Sequence, residues 1–258
     1  MPILGIMSSS RRTSVTPNVE YLVVAGGAGA GSGTSGSYGG GGGAGGMKTA
    51  TGFAVTAGVS YTVTVGAGGT GGTPTGQDVP GTNGNSSVFS TISTSGGGGG
   101  GSSNFNGTNV NSNGLNGGSG GGTGYSATLA TAGTGISGEG NNGAAYNTGG
   151  SAGGGGGKSS AGSTTVGGSG SASSITGSSV TYSAGGNVGN DSAVTANTGF
   201  GGNHSNASRT GLNGASGIVV IRYADSYPAA TSTTGSPTIT VSGGYRIYKW
   251  TGSGTVTF

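Results

Sequence analysis

The sequence predicts an all-β, partly irregular chain: short antiparallel strands, packed extended helices of the polyglycine II type, a C-terminal β-sheet and no α-helix. Three observations lead there. Glycine supplies 69 of the 258 residues, much of it in near-pure tracts at 39–46, 96–101, 117–122 and 149–157. Between Phe53 and Val65 apolar side chains fall on every odd position, the period of a strand with one buried face. From residue 218 onward, β-branched and aromatic runs alternate with turns of hairpin length.

The tracts rule out an ordinary core. Each glycine costs about 0.5–1 kcal/mol relative to alanine in regular structure, because it loses the most backbone freedom and buries no side chain. Summed over all 69 glycines, the upper bound reaches several tens of kcal/mol, well beyond a typical net stability of ~5–15 kcal/mol. Either the chain is disordered, as Gly/Ser linkers are, or bare backbones approach so closely that their own N–H and C=O groups hold the structure. A neutral, hydrogen-bonding composition of Ala, Ser, Thr, Asn and Val favours the second. Collagen is excluded, since there is no strict Gly-X-Y repeat and there are only six prolines. The unequal starts of the tracts argue against a fixed-period solenoid. An extended helix with three residues per turn and ~3.1 Å rise suits such tracts, because no Cβ holds neighbours apart.

Residues 1–19 form an apolar and basic arm closed by Pro17, expected to attach the protein to a neighbour. Residues 20–217 form the glycine-rich body. Its strand candidates are Glu20 to Ala25, the 53–65 stretch as a pair with a turn at Ala57 and Gly58, and Val88 to Ile92. Residues 93–215 hold no apolar run longer than three. Residues 218–258 contain the strand candidates Ile218 to Tyr223, Thr238 to Val241, Tyr245 to Trp250 and Thr255 to Phe258. Turns at 242–244 and 251–254 would fold these into a compact antiparallel sheet.

Charged residues are 5% of the chain and the net charge is +3. No basic stripe marks a nucleic-acid partner. Cysteine is absent, so neither disulfides nor thiolate metal sites are available. No run approaches the ~20 apolar residues of a membrane span, and the opening segment is too short and wrongly charged for a secretory signal. Synthesis in the producing cell's cytoplasm, without membrane insertion, is the expectation.

The ionisable inventory does not suggest an enzyme. His204, Glu20, Asp78, Glu139, Asp191 and Asp225 are scattered, and no cofactor or metal is expected. Ala152 to Ser159 misses the phosphate-loop pattern at Ala152 and lacks the flanking strand and helix such a loop needs. The match at Gly31 to Gly36 to a dinucleotide fingerprint is chance in so glycine-rich a chain. Aromatic side chains in or beside glycine and asparagine stretches, Tyr38, Phe105, Tyr125, Tyr146, Tyr182 and Phe200, carry more information. Phe105, Tyr125, Tyr146 and Phe200, with Asn203 and His204, are candidate surface contacts, since an aromatic face flanked by amide donors can stack a sugar ring. The alternatives are that the aromatics cap extended helices or pack between subunits, and that Asn203 and His204 are merely solvated loop residues.

The stretches EYLVVAGGAGAG, YTVTVGAGG, GASGIVVIRY and YRIYKWTGSGTVTF, together with the GGGGG tracts and the opening MPILGIMSSS, resemble the glycine-rich domains of bacteriophage tail-fibre and other virion proteins. That resemblance covers nearly the whole chain. It implies an extracellular virion component that self-associates, with a trimer as the expectation, and binds other virion proteins through its arm. Its tracts would pack as polyglycine II helices and its loops would contact a host-surface polysaccharide or outer-membrane protein. A tail fibre or fibre-tip subunit is the expected function. The competing readings are a self-assembling extracellular filament joined through Tyr21 to Ala25 and Ile218 to Tyr223, an ice-binding protein, and a disordered linker.

Overall fold

A computed structural model describes residues 16–34, 36–74, 79–103, 111–126, 130–146 and 151–258. Side-chain burial builds one half of the molecule. The strands are β1 (Asn18–Val24), β2 (Met47–Ala54), β3 (Ser60–Thr64), β4 (Ser87–Phe89), β5 (Ile92–Thr94), β6 (Ser171–Ser173), β7 (Val180–Tyr182), β8 (Ile218–Ala224), β9 (Ser232–Thr233), β10 (Thr238–Ser242), β11 (Tyr245–Trp250) and β12 (Gly254–Thr257). They form two five-stranded sheets, ordered β10-β11-β8-β1-β2 and β5-β4-β3-β12-β9, and a small β6-β7 hairpin. Every pairing is antiparallel. Among the described residues there is no α-helix.

Strand periodicity explains the packing. On the first sheet, Val19, Val23, Val219, Ile221, Tyr223, Tyr248 and Trp250 face Val63, Phe89, Val256 and Phe258 of the second, forming one buried cluster. The alternate residues Leu22, Val24, Ile218, Val220 and Ile247 form a second cluster with Met47, Ile175 and Tyr182. Tyr223 and Tyr248 are joined hydroxyl to hydroxyl at 3.1 Å, and the Trp250 indole N–H donates to the Thr234 carbonyl at 3.0 Å. Large polar-tipped aromatics are thereby buried without an orphaned donor.

Several expectations change. The 53–65 stretch is no hairpin: β2 pairs with β1 and β3 with β12 and β4, so the turn at Ala57 and Gly58 carries the chain from one sheet to the other. Alternation specifies a buried face, not a partner. The 88–92 segment is itself a hairpin, β4-β5. The C-terminal strands β10, β11 and β8 pair with one another antiparallel, as expected, but they do not form a sheet of their own. β8 and β11 complete a sheet with β1 and β2, whereas β12 joins β3. β8 and β1 are consequently interior strands, hydrogen-bonded along both edges, so Tyr21 to Ala25 and Ile218 to Tyr223 are not available to join subunits into a filament. β6 and β7, within 93–215, carried too few apolar residues to be legible. The arm to residue 15 and Asp78 lie outside the described residues.

The other half is held by backbone. Residues 25, 28 and 31 donate to the carbonyls of 46, 43 and 40; residues 26, 29 and 32 to those of 85, 82 and 79; residues 27, 30 and 33 to those of 215, 212 and 209. The same tract accepts from Gly97, Gly100 and Ser103, from Gly69 and Gly72, and from Gly202. The 39–46 tract behaves alike: Gly40, Gly43 and Gly46 donate to Gly101, Gly98 and Ser95; Gly41 and Ala44 to Gly153 and Gly156; Gly42 and Gly45 to Gly202 and Gly199. The partner changes with each residue and returns every third, the periodicity of a three-residue turn. Side chains would prevent this. A Cβ on Gly42 would run into the Ala28 carbonyl oxygen, and one on Gly41 into that of Gly186.

Where the lattice runs out of tracts, asparagine substitutes for a carbonyl. The Oδ1 atoms of Asn83, Asn113, Asn116, Asn142, Asn187, Asn203 and Asn213 accept from the backbone N–H groups of Gly99, Thr131, Thr134, Gly135, Gly167, Asn187 and Gly71, at 2.7–2.9 Å. These are edge donors that would otherwise have no protein partner.

Candidate functional site

The lattice is polar in the sense that its two ends differ. At one end, tracts run directly into strands: residue 25 follows β1, 46 precedes β2, 95 follows β5, 183 follows β7 and 217 precedes β8. At the opposite end the described tracts lead into loops. Gly33 and Thr34 turn back to Ser37 through Gly36, whose φ is 83°, and the Ser37 N–H donates to the Thr34 carbonyl at 3.0 Å. Around this turn, Thr34 N–H donates to Ser103 Oγ, Val79 N–H to Ser32 Oγ and Tyr125 N–H to the Tyr38 carbonyl. Tyr146 N–H donates to Thr123 Oγ1. Segments far apart in sequence thus converge on one loop-bearing end.

Aromatic and cationic groups gather there. Tyr38 stands edge-on to His204 with ring centroids 5.9 Å apart, and the Arg209 guanidinium lies 4.9 Å from the Tyr38 centroid. Tyr125 and Tyr146 form a second edge-to-face pair at 5.4 Å. Tyr38, Tyr125, Tyr146 and Arg209 are half-buried, so each combines a fixed position with a face open to solvent. Such groups suit stacking on a sugar ring or pairing with an anionic substituent.

His204 has a different role from the one expected. It is fully buried, with Nδ1 2.9 Å from the Gly31 carbonyl and Nε2 without a partner among the described residues. A carbonyl can only accept, so Nδ1 carries the proton and Nε2 is a bare acceptor in the neutral ring. Burial lowers its pKa below the ordinary imidazole value, the Gly31 carbonyl opposes this, Arg209 adds to it, and Asp191 opposes it weakly. Gly33 is the residue that admits the ring, since a Cβ there would sit 2.8 Å from His204 Cε1. Asp191, held below the usual carboxylate range chiefly by the Ser205 hydroxyl, ties down the adjoining loop.

The predicted contacts therefore divide. Tyr125 and Tyr146 come together on the loop-bearing end. Phe105 lies outside the described residues. Phe200 is half-buried on the flank, lining an open cleft of about 230 Å³ with Asn187, Thr195 and Asn203. Asn203 and His204 are corrected: at 6% and 0% exposure they are lattice parts rather than surface contacts or solvated loop residues. Asn203 uses Oδ1 for Asn187 N–H and Nδ2 for the Ser192 carbonyl, both 2.8 Å. A polar, glycine-flanked context reads as a loop in sequence, yet here it is a tract interior. Arg209 was missed because its partner Tyr38 is remote in the chain.

The family model for the glycine-rich domain matches residues 9–224. The chain belongs to the glycine-rich domain family. No curated protein and no solved structure matches it. The glycine-rich domain match spans the whole lattice and stops at the last residue of β8, so β9 to β12, including the strand that carries Trp250, lie beyond it.

Proposed function

We propose that this glycine-rich domain protein is a structural component of a bacteriophage particle, a tail-fibre or fibre-tip subunit that acts as a homo-oligomer and displays its loop-bearing end to the host surface. The observation that carries this reading is the segregation of the molecule: strands and both ends of the described chain lie in the sandwich, whereas Tyr38, Tyr125, Tyr146 and Arg209 lie on the loops opposite. The stretches 25–33 and 39–46, read as polyglycine II helices about 25–28 Å long at ~3.1 Å per residue, keep those loops at a fixed distance from the attachment end. Mechanism is then mechanical display with weak contacts multiplied by copy number, since linked copies turn poor single-site affinity into avidity. The arm at 1–19 joins a neighbouring virion protein, and the surface contacted is a polysaccharide or outer-membrane protein.

Binding of labelled protein to intact bacteria, competed by isolated surface polysaccharide, tests the adhesive part. Tyr125→Ala with Tyr146→Ala is expected to abolish binding with little change in melting temperature, while Ile239→Ser on the sandwich leaves it intact. Equal binding by both variants would overturn the assignment of the contact end. Localisation of the protein by antibody on purified particles tests the virion part separately.

A further inference from the structure

Five of the lattice-completing asparagines are followed by glycine: Asn83-Gly84, Asn113-Gly114, Asn116-Gly117, Asn142-Gly143 and Asn213-Gly214. The lattice explains the dipeptide. Asparagine supplies the missing acceptor at the edge, and the next residue enters the interior, where a Cβ would strike backbone: Gly84 against the Gly26 carbonyl, Gly114 and Gly143 against that of Gly121, Gly214 against that of Gly27. None of the five glycines has a positive φ, so these are not the tight turns that Asn-Gly ordinarily marks.

The same dipeptide is chemically fragile. With no Cβ on the following residue, its backbone nitrogen can approach the asparagine side chain closely. That nitrogen loses its proton to base and attacks Cγ; the Cγ–NH2 bond breaks and ammonia leaves, closing a five-membered succinimide. Water then adds at one of the two ring carbonyls, giving aspartate or, through the other, isoaspartate. One water is consumed, one ammonia is released and nothing is oxidised.

All five asparagines are exposed, so water reaches them. Yet both reacting groups are engaged at every one. Thr131 clasps the first such pair from both sides, its N–H donating to Asn113 Oδ1 at 2.7 Å and its carbonyl accepting from Gly114 N–H at 3.0 Å. Thr134 does the same to Asn116 and Gly117, at 2.8 and 3.2 Å. At the other three, Oδ1 and the glycine N–H bond to residues two apart on one neighbouring tract: Gly99 and Gly97 for Asn83-Gly84, Gly135 and Gly133 for Asn142-Gly143, Gly71 and Gly69 for Asn213-Gly214. The nucleophile keeps its proton and the electrophile is held in place.

We propose that the folded lattice shields these five positions from deamidation and that opening an edge converts them into modification sites. The products differ in consequence. An aspartate can still accept through Oδ1. An isoaspartate adds a methylene to the main chain and shifts every later residue out of the three-residue register. Opening followed by reaction is therefore one-way, and the protein's lifetime follows the fraction of time that an edge stands open.

The full-length protein is incubated at mildly alkaline pH, folded and in urea, and each site is followed by peptide mass spectrometry. All five sites are expected to react at least about tenfold more slowly when folded, because reaction then draws only on the opened population. Equal rates in both states overturn the proposal. Thr134→Pro removes the N–H held by Asn116 while suiting an extended helix; Asn116 is then expected to react several-fold faster than the other four. If Asn116 stays as slow as its counterparts in that folded variant, the clasp is not the protection. Should the variant not fold, the comparison of folded and unfolded wild-type protein decides alone.

Discussion

The sandwich and the lattice solve one problem by opposite means. In the sandwich, Trp250, Tyr248, Phe89 and Ile221 remove apolar surface from water, and backbone pairing follows from alternation along each strand. In the lattice, residues 25–33 and 39–46 are almost completely buried with scarcely a side chain to bury, and hydrogen bonds in three directions do the holding. The difference lies in what each tolerates. A sandwich core has side chains that can shift around a change. A lattice built of main chain at contact distance has nothing to move except the main chain of the next tract, so the smallest addition propagates.

The largest expected effect follows directly. Gly42→Val places its side chain against the Ala28 and Gly29 carbonyls and is expected to prevent folding, beyond about 5 kcal/mol. Gly52→Ala is the matched control, because Gly52 has open space around its Cβ position and only a positive φ of 82° to lose. It should cost about 1–2 kcal/mol. Circular dichroism melts of the pair read the contrast, and similar losses would mean that close approach is not what glycine provides here.

Trp250→Ala tests the sandwich by its own rule. It removes the largest fully buried side chain and is expected to cost about 3–5 kcal/mol, with a urea midpoint as readout. If the two halves are held independently, hydrogen exchange in this variant accelerates first at β8 and β11 and later in the tracts. Simultaneous acceleration throughout would show one cooperative unit.

Asparagine at the edge gives a smaller effect. Asn116→Ala leaves the Thr134 N–H to water, since the position is exposed, and a loss of about 1 kcal/mol is expected. Asn116→Asp keeps the acceptor and should recover most of it.

The smallest effect is a dependence on pH. His204 is buried and neutral, with its folded pKa below the ordinary 6.5. The unfolded chain therefore binds the proton first as pH falls. Its contribution is complete above 6.5 and is lost as pH drops from there to the lowered value. Among the described residues Tyr38, Arg209 and Asp191 are the ionisable groups around it, and Arg209 works against protonation. Urea midpoints between neutral and mildly acidic pH should fall more steeply for the native protein than for His204→Gln, which lacks the titrating ring. Parallel curves would place the sensitive group elsewhere.

Much of the fold was legible because its causes are local. Period two at 53–65 and the β-branched run at 218–223 gave strands, Ser242 to Gly244 gave the β10-β11 turn, and bare glycine gave close approach. The site was legible only in part. Tyr125 and Tyr146 could be singled out as aromatics amid glycine, but Arg209 acquires meaning only beside Tyr38. His204 and Asn203 looked solvated because polarity marks a loop only where side chains, rather than backbones, make the interior.

By itself, the sequence determined which segments extend, which faces are apolar and that glycine must replace side-chain packing, since each of these depends on residues within a few positions of one another. Which sheet β2, β3 and β8 join, the directions in which tracts run past each other and the gathering of Tyr38, His204 and Arg209 were decided by tertiary structure alone. The reason is physical: one peptide group looks like another, so a tract of glycines carries no label for its neighbour. The strands and edge asparagines at its ends have to set the register.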